Sequence, residues 1–230
     1  SPHNRLILKE QALAHSSIKS LTLTSNNPLQ AGWSTGSAVW DGKDPDEVAE
    51  IHMMNVDQDF FETMGIKFVD GRGFSEEFSS DSLNYVINGV AAALMGYDDP
   101  VGSDLSVWGN EGKIIGVVEN FHVSNLYDPI FPLIMRLDPQ QTYVAIAHIT
   151  DPAQSIAYLK ELITQLSPDI PFQYTFLDQD FASDYEAEQS VSTLMKLFSS
   201  LSIIIACLGL FGLISYSNEQ RKKEIGIRKV

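Results

Sequence analysis

The strongest pattern in the sequence is a run of apolar residues near its end, from Leu197 to Ser217, which contains no charged residue. As an α-helix with a rise of about 1.5 Å per residue, this run would be about 31 Å long, close to the roughly 30 Å hydrocarbon core of a bilayer. A helix in a soluble core is usually shorter or carries one polar face. The pattern predicts a transmembrane helix at 197–217, with a buried helix of a soluble core as the alternative.

The residues on the two sides of this run differ in charge. Lys196 is the only cation close before it, whereas the residues after it are rich in positive charge. These cations are Arg221, Lys222, Lys223, Arg228 and Lys229. Because cytoplasmic flanks of membrane helices carry an excess of Lys and Arg, we expect residues 218–230 to be cytoplasmic and residues 1–196 to lie outside the cytoplasm.

Alternating and helical patterns in the first 180 residues predict a mixed α+β domain. Strands are predicted at 18–24, 48–56, 66–69, 85–88, 105–108, 113–118, 143–149 and 172–177, and short helices at 6–15, 59–64 and 89–95. Asp151 and Pro152 form an N-cap and N1 pair before a helical apolar stripe, so that 143–177 reads as a β-α-β unit. From Asp180 onward nothing interrupts the helical pattern, which predicts one continuous helix with a stalk at 180–196 before the membrane.

The net charge of −15 is unevenly distributed along the chain. Residues 219–230 carry +3 and residues 1–218 carry −18. An acidic body argues against nucleic-acid binding, which needs clustered cations, and against binding flat on anionic lipid. The basic tail suits lipid headgroups or an acidic partner. Cys207 is the only cysteine, so that no disulfide framework forms within the chain.

No motif in the sequence predicts catalysis, a cofactor site or a metal site. The five histidines are scattered, and structural roles are expected for His52 and His148 in predicted strands. Pairs of carboxylates at 57/59, 98/99 and 178/180 lack the spacing of a calcium loop, so that a solvated surface is the preferred interpretation. The Gly71-Arg72-Gly73 segment is expected to be a structural turn rather than an anion site. Trp33 and Trp40 are expected to pack on their own domain.

One face of the predicted membrane helix carries small residues: Ser202, Ala206, Gly209 and Gly212. Small side chains allow membrane helices to approach closely. We therefore expect this face to pack against other transmembrane helices.

Residues 1–30 contain neither the apolar core of a signal peptide nor a membrane span. A domain that reaches the outside before Leu197 needs an export signal further upstream. The chain also stops within an amphipathic stretch at Val230. The sequence is therefore expected to be a fragment of a larger membrane protein.

Four stretches resemble the MacB/FtsX-type permeases of ABC transporters, in the region of their periplasmic core domain. They read FFETMGIKFVDGRGFS (60–75), AAALMGYDDPVGSDLSV (91–107), KIIGVVENFHVSNLYDPIFPLI (113–134) and QRKKEIGIRKV (220–230). They occur in the order of the family and cover about residues 55–230. The resemblance implies an inner-membrane protein whose residues 1–196 are periplasmic.

The resemblance also implies a two-lobed periplasmic domain with one porter-like lobe of β-α-β units and one small β-rich, Sabre-like lobe. The expected ranges are 1–84 and 139–179 for the porter-like lobe, 85–138 for the Sabre-like lobe, 180–196 for the stalk, 197–217 for the membrane helix and 218–230 for the start of the cytoplasmic permease region.

Such permeases are non-catalytic, and they couple ATP hydrolysis by a separate domain or subunit to periplasmic movement, a scheme called mechanotransmission. The resemblance implies an ATPase, a permease dimer partner and membrane lipid as partners. It also allows a further partner in the periplasm or the outer membrane. The residues that match the family's cytoplasmic signature would contact the ATPase; they are Lys223, Glu224, Ile225, Gly226, Ile227 and Arg228.

Two other functions fit parts of the same pattern. The sensor domain of a transmembrane receptor would have the same topology, although its tail would usually continue as a helical linker with heptads. A membrane-anchored enzyme is disfavoured because no catalytic motif is present. A further pair of apolar spans after Val230 would favour the permease, and a kinase or signalling module would favour the receptor.

Overall fold

The computed structural model describes the backbone of residues 2–28, 33–44, 46, 48–121 and 129–227, and their side chains except those of 2–3, 179–192 and 219–227. The chain divides into two compact units, Ser1–Tyr174 and Thr175–Val230. The first unit contains all the strands described below, and the second consists mainly of one long helix.

The described residues form five α-helices and two short 3-10 turns. The helices are α1 (Pro2–Leu13), α2 (Phe60–Met64), α3 (Gly89–Met95), α4 (Pro152–Leu166) and α5 (Leu177–Ile227), and the 3-10 turns are at Ser79–Ser82 and Pro139–Gln141. Helix α4 begins as predicted, because the Asp151 side chain accepts a hydrogen bond from the backbone N–H of Gln154 and Pro152 follows it. Helices α2 and α3 end at Gly65 and Gly96 in the left-handed conformation that glycine favours.

Ten strands build the sheet. They are β1 (Ile18–Thr24), β2 (Trp33–Thr35), β3 (Val39–Trp40), β4 (Ile51–Val56), β5 (Phe68–Gly71), β6 (Tyr85–Asn88), β7 (Asp104–Val107), β8 (Asn110–Val118), β9 (Leu133–Leu137) and β10 (Val144–Ile149). The order across the sheet is β10-β1-β4-β9-β6-β8-β7-β3, with β2 paired to β4 and β5 paired to β8. The predicted α+β class is confirmed.

Pairing in this sheet is mixed. Strands β4 and β9 are parallel, as are β6 and β8, whereas β1 pairs with β10 and β6 with β9 in antiparallel fashion. Strands from all three predicted ranges, 1–84, 85–138 and 139–179, are therefore hydrogen-bonded into the same sheet. The division into porter-like and Sabre-like lobes stays a prediction.

Apolar side chains pack on both faces of the sheet. Because neighbouring strand residues point to opposite faces, Tyr85 and Ile87 belong to one cluster and Val86 to another. Phe60 and Phe61 of α2 pack in the cluster that contains Val86. A third cluster, around Leu21 and Leu162, packs α1 and α4 against β1.

Two local predictions are wrong. The residues expected to form a second strand of the β-α-β unit, 172–177, are not a strand: 171–176 have no regular structure, and α5 begins at Leu177. The loop expected at 31–45 contains the short strands β2 and β3. Trp40 is buried as expected, but Trp33 is 58% exposed.

The β7–β8 hairpin turns earlier than residues 109–112, which connect the strands predicted at 105–108 and 113–118. Its turn residues are Trp108 and Gly109, with φ of 51° and 77°. Positive φ at both central residues defines a type I′ turn, which matches the right-handed twist of the paired strands.

Helix α5 runs without a break over 51 residues, about 76 Å at 1.5 Å per residue. The predicted continuous helix is thereby confirmed, with a start three residues before the expected Asp180. It contains the whole apolar run and the backbone up to Ile227.

Candidate membrane span and buried ion pairs

Within α5, the segment Thr193–Asn218 is long and apolar enough to cross a membrane by its length and composition, and none of it is buried inside the structure. Ile204, at the middle of the run, is 56% exposed. A core helix of a soluble domain would be covered by its own domain, so that the exposure of this segment favours the membrane span over the buried-core alternative.

Two hydroxyl groups in this segment have partners within the helix. Ser200 Oγ donates to the carbonyl of Leu197 at 2.7 Å, and Ser202 Oγ donates to the carbonyl of Phe198 at 2.9 Å. Bonds of this kind satisfy polar groups where no water is present, which makes these serines compatible with a hydrocarbon environment.

The small-residue face is open along the described part of the helix. A Cβ added at Gly209 or Gly212 would meet no other atom within 4 Å. Ser202 and Ala206 precede these glycines by helical spacings that keep all four on one side. Their role in helix packing stays a prediction.

The segment expected to contact an ATPase lies at the end of α5. The backbone of residues 223–227, from Lys223 to Ile227, is helical, and the side chains of Lys223, Glu224, Ile225, Gly226 and Ile227 are outside the described set. Arg228 lies outside the described residues altogether.

In the first unit, the buried carboxylate of Asp81 pairs with Arg72, whose side chain is 40% exposed, an ion pair that sequence analysis missed. Arg72 Nη1 donates to Asp81 Oδ2 at 2.6 Å and Nη2 donates to Oδ1 at 2.9 Å, while the Ser75 N–H donates to Oδ2 at 3.0 Å. Burial raises the pKa of Asp81, but these hydrogen bonds and the Arg72 charge outweigh it and hold the pKa below its usual range. The Arg72 guanidinium also stacks on the Phe78 ring.

Gly71, the last residue of β5, has a φ of 69°, and a Cβ there would lie 2.3 Å from the carbonyl oxygen of Ile115 in β8. Only glycine allows β5 to lie this close to β8 at the residue before Arg72. The turn expected at 71–73 is not observed, because Gly71 ends a strand and residues 72–75 have no regular structure, whereas Arg72 has a structural role in pairing with Asp81.

A second polar cluster connects α1 to the sheet. Lys9 Nζ donates to Asp57 Oδ2 at 2.7 Å and also pairs with Asp59. Asp57 accepts further hydrogen bonds from the Thr22 hydroxyl and the Leu23 N–H. Burial lowers the pKa of Lys9, but the two carboxylates outweigh it and the pKa is raised. The expected solvated surface is wrong for Asp57, which is 2% exposed.

Candidate ligands for a metal do not come together in the described part of the chain: no three His, Cys, Asp or Glu side chains are placed to hold an ion. His52 lies in β4 and packs against Phe131, with 4.7 Å between ring centroids. Its Nδ1 is buried without a hydrogen-bond partner among the described residues. Asp98 and Asp99 are exposed, as expected.

Comparison with known proteins indicates a class of transporter. No family model matches the chain. The chain is 28% identical over 190 residues to the macrolide export ATP-binding/permease protein MacB 2 of Aeromonas hydrophila, a match that covers 76% of this chain and 29% of that protein. It is 24% identical over 187 residues to MacB of Acinetobacter baylyi, covering 75% and 28%. The chain thus spans less than a third of the length of these curated relatives.

Solved structures share the fold. The periplasmic region of MacB from Actinobacillus actinomycetemcomitans superposes with a TM-score of 0.52 at 18% identity, covering 70% of this chain and 73% of that chain. The extracellular domain of the noncanonic ABC-type transporter YknZ from Gram-positive bacteria superposes with a TM-score of 0.50 at 16% identity, covering 71% and 82%.

The fold is therefore that of the extracytoplasmic domain of an ABC transporter permease. Within that class, both the sequence similarity and the fold point to the MacB type, as the four resembling stretches implied. These similarities and the exposed apolar helix together support an inner-membrane protein with a periplasmic segment.

Proposed function

We propose that this chain is the periplasmic domain and following membrane span of a non-catalytic permease subunit that works by mechanotransmission. In this proposal a cytoplasmic ABC ATPase drives movement that reaches the periplasmic domain through α5 and promotes export or extraction of a substrate. Similarity to MacB over three quarters of the chain supports the permease class. The observation that carries the mechanical part is the uninterrupted course of α5 from Leu177 to Ile227.

A continuous helix suits this task because its backbone hydrogen bonds make it stiff along its axis. Movement at one end then displaces the other end, whereas a flexible linker would absorb it. The helix contains the apolar run and continues into the basic segment, so that one rigid element extends on both sides of the proposed span.

The partners follow from this role. We propose that residues 223–228 contact the ATPase, with Ile225 and Ile227 in an apolar groove and Arg228 paired with an acidic residue. We further propose that the permease is a dimer, that Ser202, Ala206, Gly209 and Gly212 pack against other membrane helices, and that a periplasmic or outer-membrane partner binds the folded domain.

An insertion in α5 tests mechanical coupling. Seven residues are inserted after Ser190 of the full-length permease, either as a flexible Gly/Ser sequence or as a helix-forming Ala/Glu/Lys sequence of equal length. With the cognate ATPase present, the flexible insertion should abolish the ATP-dependent distance change between spin labels on the periplasmic domains. The helical insertion should retain most of it.

Equal responses of the two insertion variants would contradict the mechanical proposal. Cross-linking from position 225 tests the ATPase contact separately: a cysteine there should cross-link to the cognate ATPase. Persistent failure in membranes where both subunits are assembled would exclude this contact.

A further inference from the structure

Trp108, at the tip of the β7–β8 hairpin, combines backbone strain with exposure to solvent. Its φ of 51° is the only positive value at a non-glycine in the described part of the chain. Type I′ turns favour Asn or Gly at this position, and a bulky side chain there is strained. Trp108 is 51% exposed, so that packing within the chain offsets little of this strain. Because strained residues cluster at ligand-binding positions, Trp108 is a candidate for contact with a ligand.

A second exposed apolar side chain lies on the same side of the sheet. Val39 of β3 pairs with Ser106 of β7, and Trp108 follows Ser106 by two residues. Because strand residues two apart point to the same side, Val39 and Trp108 share the outward surface, whereas Leu105 and Val107 belong to the core beneath it. Val39 is 58% exposed. We call this outward surface of β3 and the β7–β8 hairpin the hairpin face.

The hairpin face also carries negative charge. Glu111 of β8 pairs with Ser106 and is exposed. Asp104 and Lys113 are the next outward pair toward the base of the hairpin, and their side chains form an ion pair at 2.7 Å. Asp41 directly follows β3 and is exposed. The described residues provide no ion-pair partner for Asp41 or Glu111, so that the face retains two negative charges beside its apolar side chains.

The chemistry and the size of the hairpin face fit a short cationic peptide. Positive side chains complement Asp41 and Glu111, and apolar side chains beside them contact Trp108 and Val39. Strands about 4.8 Å apart and about 14 Å long give a face on the order of 200 Å², well below the roughly 800 Å² that each partner of a stable protein complex buries. The charge of −18 on residues 1–218 disfavours an anionic lipid surface as the ligand.

We propose that the hairpin face binds short peptides that carry both cationic and apolar side chains, and that such peptides are the substrate of the permease. Trp108 is the main apolar contact, and Asp41 and Glu111 attract the cationic groups. The substrate role rests on the transport function proposed above, whereas the binding itself rests on the hairpin face alone. A peptide bound there lies on the domain to which ATP-driven movement is proposed to be transmitted.

Peptide binding to variants of the full-length permease tests the apolar contact. The permease is placed in nanodiscs of zwitterionic lipid, and the probe is a fluorescein-labelled ten-residue peptide in which Lys and Val alternate. Trp108→Asn suits the type I′ turn, so that its denaturation midpoint should not fall, while its affinity for the peptide should fall about tenfold or more. The matched control, Trp33→Thr, removes an equally exposed tryptophan of β2 and should change the affinity less than about twofold.

Two double variants with equal total charge test the electrostatic contribution. Asp41→Asn with Glu111→Gln should weaken peptide binding about threefold to tenfold at low salt, and the difference should shrink at high ionic strength. Asp98→Asn with Asp99→Asn removes the same charge from another exposed pair and should have a clearly smaller effect.

Equal affinity of the natural permease and Trp108→Asn, or equal effects of the two double variants, would exclude the hairpin face as the binding surface. A peptide in which Lys and Ser alternate should bind more weakly, and equal binding would exclude the apolar contacts. With the cognate ATPase assembled, the Lys/Val peptide should also raise the rate of ATP hydrolysis, and less so in Trp108→Asn. Binding without this stimulation would overturn the substrate role and leave the mechanical proposal, which the α5 insertions test, unaffected.

Discussion

At the scale of single residues, the first unit depends on one buried carboxylate, Asp81, that the sequence gives no reason to single out. Asp81 is fully buried and remains charged because Arg72 binds both of its oxygens and the Ser75 N–H adds a further hydrogen bond. A buried charge costs little only while its partners are present. The two residues are nine positions apart, Arg72 directly after β5 and Asp81 in the 3-10 turn at Ser79–Ser82, so that no periodic pattern reveals the pair.

Removing the charge of Asp81 should therefore destabilise the domain. We expect Asp81→Asn to lower the free energy of unfolding by about 1–3 kcal/mol, because a buried Asn side chain cannot accept all the hydrogen bonds that the carboxylate accepts from Arg72 and the Ser75 N–H. Asp104→Asn is the matched control, since Asp104 also pairs with a cation, Lys113, but both are exposed. Its effect should stay within about 0.5 kcal/mol. Denaturant unfolding followed by tryptophan fluorescence measures both, and equal effects would contradict the role given to burial.

The same pair predicts a pH dependence. The pKa of Asp81 is lowered in the folded state, so that its contribution is fully present above the unfolded value of about 3.9 and is lost as the pH falls through the folded value. The stability difference between the natural chain and Asp81→Asn should therefore be constant near neutral pH and shrink in acid. A difference that is unchanged from pH 7 to pH 3 would exclude ionised Asp81 as the source.

At the scale of elements, the sequence predicted those helix and strand ends that are determined by neighbouring residues. Strands β1 and β6 and helix α3 have the predicted bounds, and the cap residues Asp151, Gly65 and Gly96 act as their residue types suggest. The alternation at 172–177 failed, because alternation alone does not form a strand without a neighbour to pair with. Strands β2 and β3 were missed because three and two residues are too short for a periodic signal.

The features of the candidate site also differ in whether they depend on neighbouring residues or on distant ones. The apolar run is a property of consecutive residues, and the sequence alone defined it. The ion pair of Asp57 with Lys9 depends on how α1 packs on the sheet, and therefore on the order of the strands in it. That order includes the parallel pair β4–β9, whose members are far apart in sequence, and periodicity carries no information about it.

The small-residue face of α5 gives a prediction at this scale. Gly209→Leu should leave the helix content of the isolated chain unchanged, since a side chain at this position meets no other atom. In the full-length permease it should reduce assembly with the other membrane helices, because close approach needs small residues. Cys207→Leu, on the opposite face, is the control. Size-exclusion chromatography in detergent measures assembly, and equal behaviour of the two variants would show that this face has no partner.

At the scale of the whole molecule, the two units depend on different environments. The first has its own buried core, whereas the second exposes mostly apolar side chains over Thr193–Asn218. Apolar surface of this extent is stable only when it is removed from water.

A chain that ends at Tyr174 should therefore be soluble without detergent and should unfold cooperatively. The physical reason is that the three apolar clusters all lie within this range. Near-UV circular dichroism and a single denaturant transition would verify a packed core. A molten, aggregating product would show that the domain needs α5 to fold.

The antiparallel pairing of β1 with β10 also determines when β1 of the nascent chain can complete its hydrogen bonds. Ile18 pairs with Ile149, which lies 131 positions further along the chain, so that these residues must be synthesised before β1 obtains this neighbour. Until then the backbone amides of β1 on this side are unpaired and can bind a strand of another chain, which promotes aggregation. Cells that make this protein must keep β1 from binding other chains until β10 has been synthesised. Conditions that slow translation lengthen the time for which this protection is needed.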